Sequence, residues 1–462
     1  MHPLARLSVE PDAALPLFKS MHHARISDDR TARPLRLLLL LGNWIGGGAE
    51  RVAVQLMNGL PPHWDVHLGL LHAGTAWREV LDPARVHVAP EADRFGFDRP
   101  NRELFAPRAL AEAALHAPRA VRRIVEDVRP DVVMSFLKGT AILTWLALAA
   151  MPRGQRPRWI VREGNNILAT ATHESPNALV RAASLALTRR AYARADAILA
   201  NAVGMARDLP GLLDIDPARV HTINNPVDIA AIAASARESV PDMPRHPFLL
   251  AVGRLEHQKG HDMLIEAFAR SGTAASHELV ILGTGSRLGA LRALARERGL
   301  AEKVRFVGFT ANPHAWMAAA DLFVLPSRWE GFPNAAAEAM AAGAPLLLAD
   351  CAYGAADLVT PGINGTLVPP GNVAALAEAL ARLVAAPQER ARHAQAGRLH
   401  VRRFARERIL ARYAELIAGV AANNAPAPAP LRFAPARVPQ RDAAPVLLAP
   451  RPAMRHIPSP ME

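Results

Sequence analysis

The chain has one cysteine, Cys351, only four lysines and three tyrosines among 462 residues. A lone cysteine excludes an intrachain disulfide framework and fits a reducing cytosol. Neither a Cys/His cluster nor an H-E-x-x-H motif is present, so spacing gives no metal site. The longest apolar runs, "AILTWLALAAM" (141–151) and "LRLLLLLG" (35–42), fall well short of the roughly 20 residues a spanning helix needs. The N-terminal stretch lacks the unbroken apolar core of a signal peptide. These absences point to a cytoplasmic protein, soluble or peripheral to a membrane. Charge is lopsided, 54 Lys+Arg against 42 Asp+Glu or +12, and almost all of the cations are arginines. They are spread among carboxylates with no basic-aromatic stripe, which argues against a nucleic-acid partner and leaves anionic small molecules or an anionic lipid surface.

What is present is half hydrophobic and long enough for two or three cores. Residues 1–33 show no sustained period and read as a disordered extension. The tail 424–462, with ten prolines in 39 residues, buries too little to offset its ordering entropy. Between them, short apolar strands alternate with amphipathic helices. "LRLLLLLG", "WDVHLGLL", "DVVMSF", "RWIVRE", "AILAN" and "VHTINNP" are strand candidates of a first series, 34–235. Its helices include a basic pair near 102–128 and 176–194, the second opened by Ser175 and Pro176. A linker with three prolines, 236–247, precedes a second series, 248–400: "FLLAVG", "ELVILG", "VRFVGF", "DLFVLPS", "APLLLAD" and "GTLVPP". This alternation predicts two doubly wound α/β domains facing across a cleft, with a last helix in 401–423 packing back across the pair.

Ligands of open parallel sheets bind beyond the carboxyl ends of the strands, so the loops there matter most. In "GNWIGGGAERV", Gly46, Gly47 and Gly48 lie between strand and helix, where backbone N–H groups can face an anion. In "GRLEHQKG", Arg254 and Lys259 offer two cations to a diphosphate whose charge grows as a bond to it breaks. "LGTGSRLGAL" spaces glycines 283, 285 and 289 somewhat like a dinucleotide fingerprint. The acid that fingerprint needs is missing, because the next strand ends in Gly308 and Phe309. In "SRWEGFPNAAAEAMAAGAPLLLAD", Glu330 follows a strand, Gly331-Phe332-Pro333 turn, and Asn334 is placed to cap the helix carrying Glu338. Two carboxylates so separated can accept from different parts of one ligand, such as sugar hydroxyls and a ribose diol.

Taken with "NNPVD" (224–228) and "GINGTLVPPGN" (362–372), these pieces resemble the retaining nucleotide-sugar glycosyltransferases of family 4, or group 1, over about residues 35–420. The resemblance implies the GT-B fold of two Rossmann-like domains. It implies a nucleotide-diphosphate sugar, UDP- or GDP-linked, as donor substrate, and neither cofactor nor metal. Arg254 and Lys259 would hold the diphosphate beside Gly253, Glu330 the transferred sugar and Glu338 the ribose. Backbone around Phe332, Pro333 and Asn334 would touch the donor sugar, and Gly46 to Gly48 would close over the phosphates. Where many members carry a histidine or a Ser-Glu-Arg-Asn-like stretch, this chain reads "VREGNN", so Arg162, Glu163 and Asn165 are the acceptor-side candidates. The acceptor implied is a glycan or lipid-linked sugar, reached by peripheral contact with the inner membrane face through basic helices bearing Arg181, Arg189, Arg190 and Arg194. A nucleotide-sugar epimerase or a non-catalytic nucleotide-sugar binder would share much of this pattern. An oxidoreductase would rest on the incomplete glycine fingerprint alone.

Overall fold

The computed structural model describes residues 33–42, 47–72, 81–89, 107–174, 177–241 and 243–422. Residues 1–32, the tail 424–462, Gly46, Ser175 and Pro176 lie outside them. The helix expected to open with Ser175 and Pro176 instead begins at Ala178 and is capped by Asn177, whose Oδ1 accepts from the Leu179 and Val180 N–H groups at 2.9 and 3.4 Å.

Among the described residues the first sheet has seven strands: β1 Arg36–Leu41, β2 Asp65–Leu70, β3 Val86–Val88, β4 Val132–Phe136, β5 Arg158–Glu163, β6 Ala197–Ala200 and β7 Val220–Thr222. Their order is β3-β2-β1-β4-β5-β6-β7, with every pairing parallel. Strands covered by helices on both faces read as unbroken apolar runs rather than alternating ones. Leu37 to Leu40 in β1 are accordingly fully buried, odd and even positions feeding separate cores on the two faces. The second sheet has six parallel strands: β8 Phe248–Val252, β9 Glu278–Leu282, β10 Val304–Gly308, β11 Leu322–Leu325, β12 Leu346–Ala349 and β13 Thr366–Val368, ordered β10-β9-β8-β11-β12-β13.

Both orders reverse direction once, between β1 and β4 and between β8 and β11. A reversal opens a crevice at the carboxyl ends of the two central strands, where a ligand can enter. The glycine turn follows β1, Arg254 and Lys259 follow β8, and Glu330 follows β11.

The chain passes between domains twice. Val227 and Ile232 pack into the second core, so the first passage lies before residue 235 and ahead of the Pro-rich stretch. The return runs through a tight turn, Val401–Phe404, into the helix Arg406–Ala421. Phe404 belongs to the second core, while Ile409, Leu410, Tyr413, Leu416, Ile417 and Val420 complete the first. The two passages are bonded to each other: Val227 N–H donates to the Phe404 carbonyl at 2.9 Å and Arg406 N–H to the Val227 carbonyl at 3.0 Å.

Candidate active site

The loops after β8 and β11 are fastened together by their own polar groups. Gln258 Nε2 donates to the Trp329 carbonyl at 2.9 Å, and Arg328 N–H to the Gln258 carbonyl at 2.8 Å. Arg328 makes a two-pronged pair with Asp262, 2.9 Å on each arm. Burial alone would raise the Asp262 pKa, but Arg328, helped by Arg287, prevails and holds it at about 2. On this braced platform Lys259 Nζ and Ser327 Oγ both donate to Glu330 Oε1, each at 2.6 Å. Glu330 is 5% exposed, and among the described residues its Oε2 has no donor. A lysine ammonium carries three protons, so Lys259 keeps donors for a ligand. Arg254 is exposed, and among the described residues it is held by a 3.4 Å contact to Gln258. Glycines 283 and 285 serve the same loop: a Cβ at Gly285 would lie 2.6 Å from the Leu255 carbonyl oxygen.

Asn334 does not cap the helix it opens. The helix is Asn334–Ala342, Pro333 occupies the cap position with no side-chain bond, and the Asn334 amide accepts instead from Asn225 Nδ2 at 2.7 Å. Glu338, 9% exposed, faces Arg51 on the first-domain helix Gly48–Gly59 and forms an ion pair with it across the cleft. His314 lies 3.8 Å from its other oxygen. Burial would raise the Glu338 pKa, yet Arg51 and His314 outweigh it and hold the carboxyl below its ordinary value.

Elsewhere the facing walls touch. A Cβ on Gly331 would lie 2.0 Å from the Gly164 carbonyl oxygen, so the turn after β11 and the loop after β5 meet backbone to backbone. His173, in the helix Ile167–Glu174, stacks on His257 at 5.6 Å with 11° between planes, and Trp329 sits 5.5 Å from His173. Burial and the Arg328 charge push the His257 pKa down to about 4, so that ring is neutral near pH 7.

Comparison with known sequences decides what these two domains are. The model described as Glycosyltransferase Family 4 matches residues 46–231, and that described as Glycosyl transferases group 1 matches 235–400. The chain belongs to this glycosyltransferase family. Among relatives of the enzyme, the N-acetylgalactosamine-N,N'-diacetylbacillosaminyl-diphospho-undecaprenol 4-alpha-N-acetylgalactosaminyltransferase of Campylobacter jejuni is 29% identical over 323 residues, 70% of this chain and 82% of that protein. The lipopolysaccharide core biosynthesis glycosyltransferase LpsE of Rhizobium meliloti is 27% identical over 374 residues, 80% and 96% of the two chains. Among solved structures, Anabaena HepE in complex with UDP and glucose superposes with a TM-score of 0.67 at 21% identity, over 83% of this chain and 100% of its own. Sucrose-phosphate synthase of Thermosynechococcus elongatus gives 0.69 at 19%, over 84% and 100%. The fold of the glycosyltransferase is therefore GT-B.

Within this enzyme the acceptor-side trio divides. Arg162 is 1% exposed; its Nε donates to the Tyr413 hydroxyl at 2.8 Å, its Nη2 to Asn225 Oδ1 at 2.5 Å, and its guanidinium lies 5.0 Å from the Phe136 ring centre. Glu163 is also buried, accepting from Tyr192 Oη at 2.6 Å and from the Gly164 and Asn165 N–H groups at 2.9 and 3.0 Å. Burial raises its pKa. Both side chains are turned into the protein, where they bond to its own groups. Of the three candidates, Asn165 is the one that is partly exposed. Sequence reasoning passed over Arg51, His314, Asn225 and Ser327. Arg51 and Asn225 sit inside "GGGAERV" and "NNPVD", quoted only for their neighbours.

Proposed function

We propose that this glycosyltransferase is a retaining, metal-independent hexosyltransferase that moves a sugar from a UDP- or GDP-sugar to a lipid-linked or lipopolysaccharide-type glycan. The observation that carries the reading is the Lys259–Glu330 pair beside exposed Arg254, at the direction reversal of the second sheet and opposite the glycine turn. As the bond from the anomeric carbon to the diphosphate oxygen breaks, negative charge builds on the leaving group. Two cations, Lys259 and Arg254, with N–H groups of the glycine turn, supply the charge stabilisation that a metal would otherwise give. The acceptor hydroxyl attacks from the face the diphosphate leaves, its proton passing to that diphosphate oxygen, so no protein nucleophile is required. Glu330 Oε2 and backbone at Phe332, Pro333 and Asn334 would hold the sugar, and Glu338 the ribose. Asn165 is then the acceptor-side polar group.

The acceptor class rests on the relatives, whose names specify an undecaprenyl diphosphate-linked substrate and lipopolysaccharide core assembly. No described helix is long and apolar enough to cross a membrane. Peripheral contact with the inner membrane face is supported by Leu168, 46% exposed, and by Leu179, 80% exposed and in the same helix as Arg181. The test is thermal stabilisation by a panel of nucleotide diphosphates and their sugars, followed by NMR of the product anomer. Stabilisation by one nucleotide sugar and retained configuration support the proposal. An inverted anomer would remove the same-face mechanism, and an indifferent panel would remove the donor assignment.

A further inference from the structure

Arginine has donors only, whereas an asparagine amide carries an acceptor at one end and donors at the other. Arg162 therefore fixes the polarity of whatever touches it. Its Nη2 donates to Asn225 Oδ1 at 2.5 Å, and this leaves the Asn225 amide no choice but to turn Nδ2 outward. That Nδ2 donates to Asn334 Oδ1 at 2.7 Å, which obliges the Asn334 amide to present its own Nδ2 away from Asn225. What lies there is the glycine turn: a Cβ on Gly48 would come 2.7 Å from Asn334 Nδ2, so the turn admits this amide only because residue 48 has no side chain. The root of the chain is firm. Arg162 and Asn225 are buried, and Arg162 is held from behind by Tyr413 of the returning helix and by the Phe136 ring.

We propose that Asn225 is a positioning residue for the donor, acting through Asn334, and that the Arg162–Asn225–Asn334 relay fixes an N–H donor pair toward the diphosphate between Asn334 and Gly48. The inference rests on the donor assignment above. A relay of this kind has one distinctive sensitivity, which is to polarity and not to size. Asn225→Asp keeps shape and still accepts from Arg162, but it can only accept from Asn334. The Asn334 amide then turns over and shows its carbonyl oxygen to the phosphates.

Binding of UDP and of GDP is measured by titration calorimetry on the full chain, for wild type, Asn225→Asp, Asn225→Ala, Asn334→Ala and the two double variants, with the ligand-free unfolding midpoint recorded for each. The relay predicts that Asn225→Asp weakens binding of the preferred nucleotide about tenfold, the effect of one hydrogen bond to a charged group. In the Asn334→Ala background the same change should weaken it less than about twofold, since contacting residues in one network couple. Asn225→Ala, which frees the Asn334 amide without reversing it, should cost less affinity than Asn225→Asp. Equal loss with and without Asn334, or no loss in a folded Asn225→Asp protein, overturns the relay. A wild type that binds neither nucleotide overturns the donor assignment, and the relay falls with it.

Discussion

Lys259→Met removes a cation from a carboxylate that has little other company. The Lys259 side chain is 17% exposed and that of Glu330 only 6%, with 2.6 Å between Nζ and Oε1. Breaking such a pair by deleting one partner costs about 3–5 kcal/mol, because the surviving charge stays buried. The Ser327 hydroxyl still donates to Glu330, which puts the expected loss near the lower figure, about 3 kcal/mol. For a domain of this size each kcal/mol moves the midpoint by about 2–4 °C, so the drop should be about 6–12 °C. Adding Glu330→Gln removes the stranded charge while keeping an acceptor for Ser327, and should restore more than half of the loss. Thermal unfolding followed by near-ultraviolet circular dichroism reads both numbers. A Lys259→Met midpoint within about 2 °C of wild type, or no recovery in the double variant, would refute the buried-pair argument. The same cycle separates two reasons for lost nucleotide binding: if the stabilised double variant still fails to bind, Lys259 is needed by the ligand and not only by Glu330.

Three further outcomes are expected. His261 is 1% exposed, and burial, with the Lys259 charge, lowers its pKa to about 4. Between pH 6.5 and 4 the unfolded chain holds more protons there than the folded one, so stability should fall as pH falls through that window, by up to about 3 kcal/mol from this group. His261→Leu should flatten the slope in urea titrations; an unchanged slope contradicts the assignment. Gly331→Ala should lower transfer kcat/KM by at least about tenfold, since a 1 Å shift at a reacting centre can cost more than that. Its Cβ would sit 2.0 Å from the Gly164 carbonyl oxygen and force the walls apart, so wild-type turnover would show the contact to be dispensable. Finally, transfer activity should survive exhaustive EDTA treatment, and loss reversed by added divalent cation would disprove metal independence.

The two sheets were legible because parallel strands buried on both faces leave unbroken apolar runs, and "LRLLLLLG" could hardly be anything else. β3 was missed for the opposite reason: Val86–Val88 is a three-residue edge strand, none of it fully buried. Loops at carboxyl ends are found by position, which is why Lys259 and Glu330 stand out in the sequence itself. What those residues touch could not be read. "RWIVRE" ends in two charges that look like loop chemistry, and nothing local says that Tyr413, 251 positions later, and Asn225 receive Arg162. Asn334 has the composition of a helix cap, but an acceptor amide goes to the better donor, and that donor comes from another domain. Cross-domain partners leave no spacing signature in a single sequence.

The paired passages between domains have a bearing on how the cleft can move. A single linker would let one half swivel freely, but two adjacent chain segments laced by hydrogen bonds at Val227, Phe404 and Arg406 behave as a strap. Such a strap bends across its width and twists along its length while opposing sliding, which favours a rocking motion over a wandering one. It also means that the first half is not a contiguous piece of chain, because the helix Arg406–Ala421 completes its core after the second half has been traversed. A fragment ending near residue 235 would carry its strands without one of the helices that cover them, and would show water the apolar floor on which Ile409, Tyr413 and Ile417 rest. Anyone dividing this protein would have to keep the helix Arg406–Ala421 with strand β1.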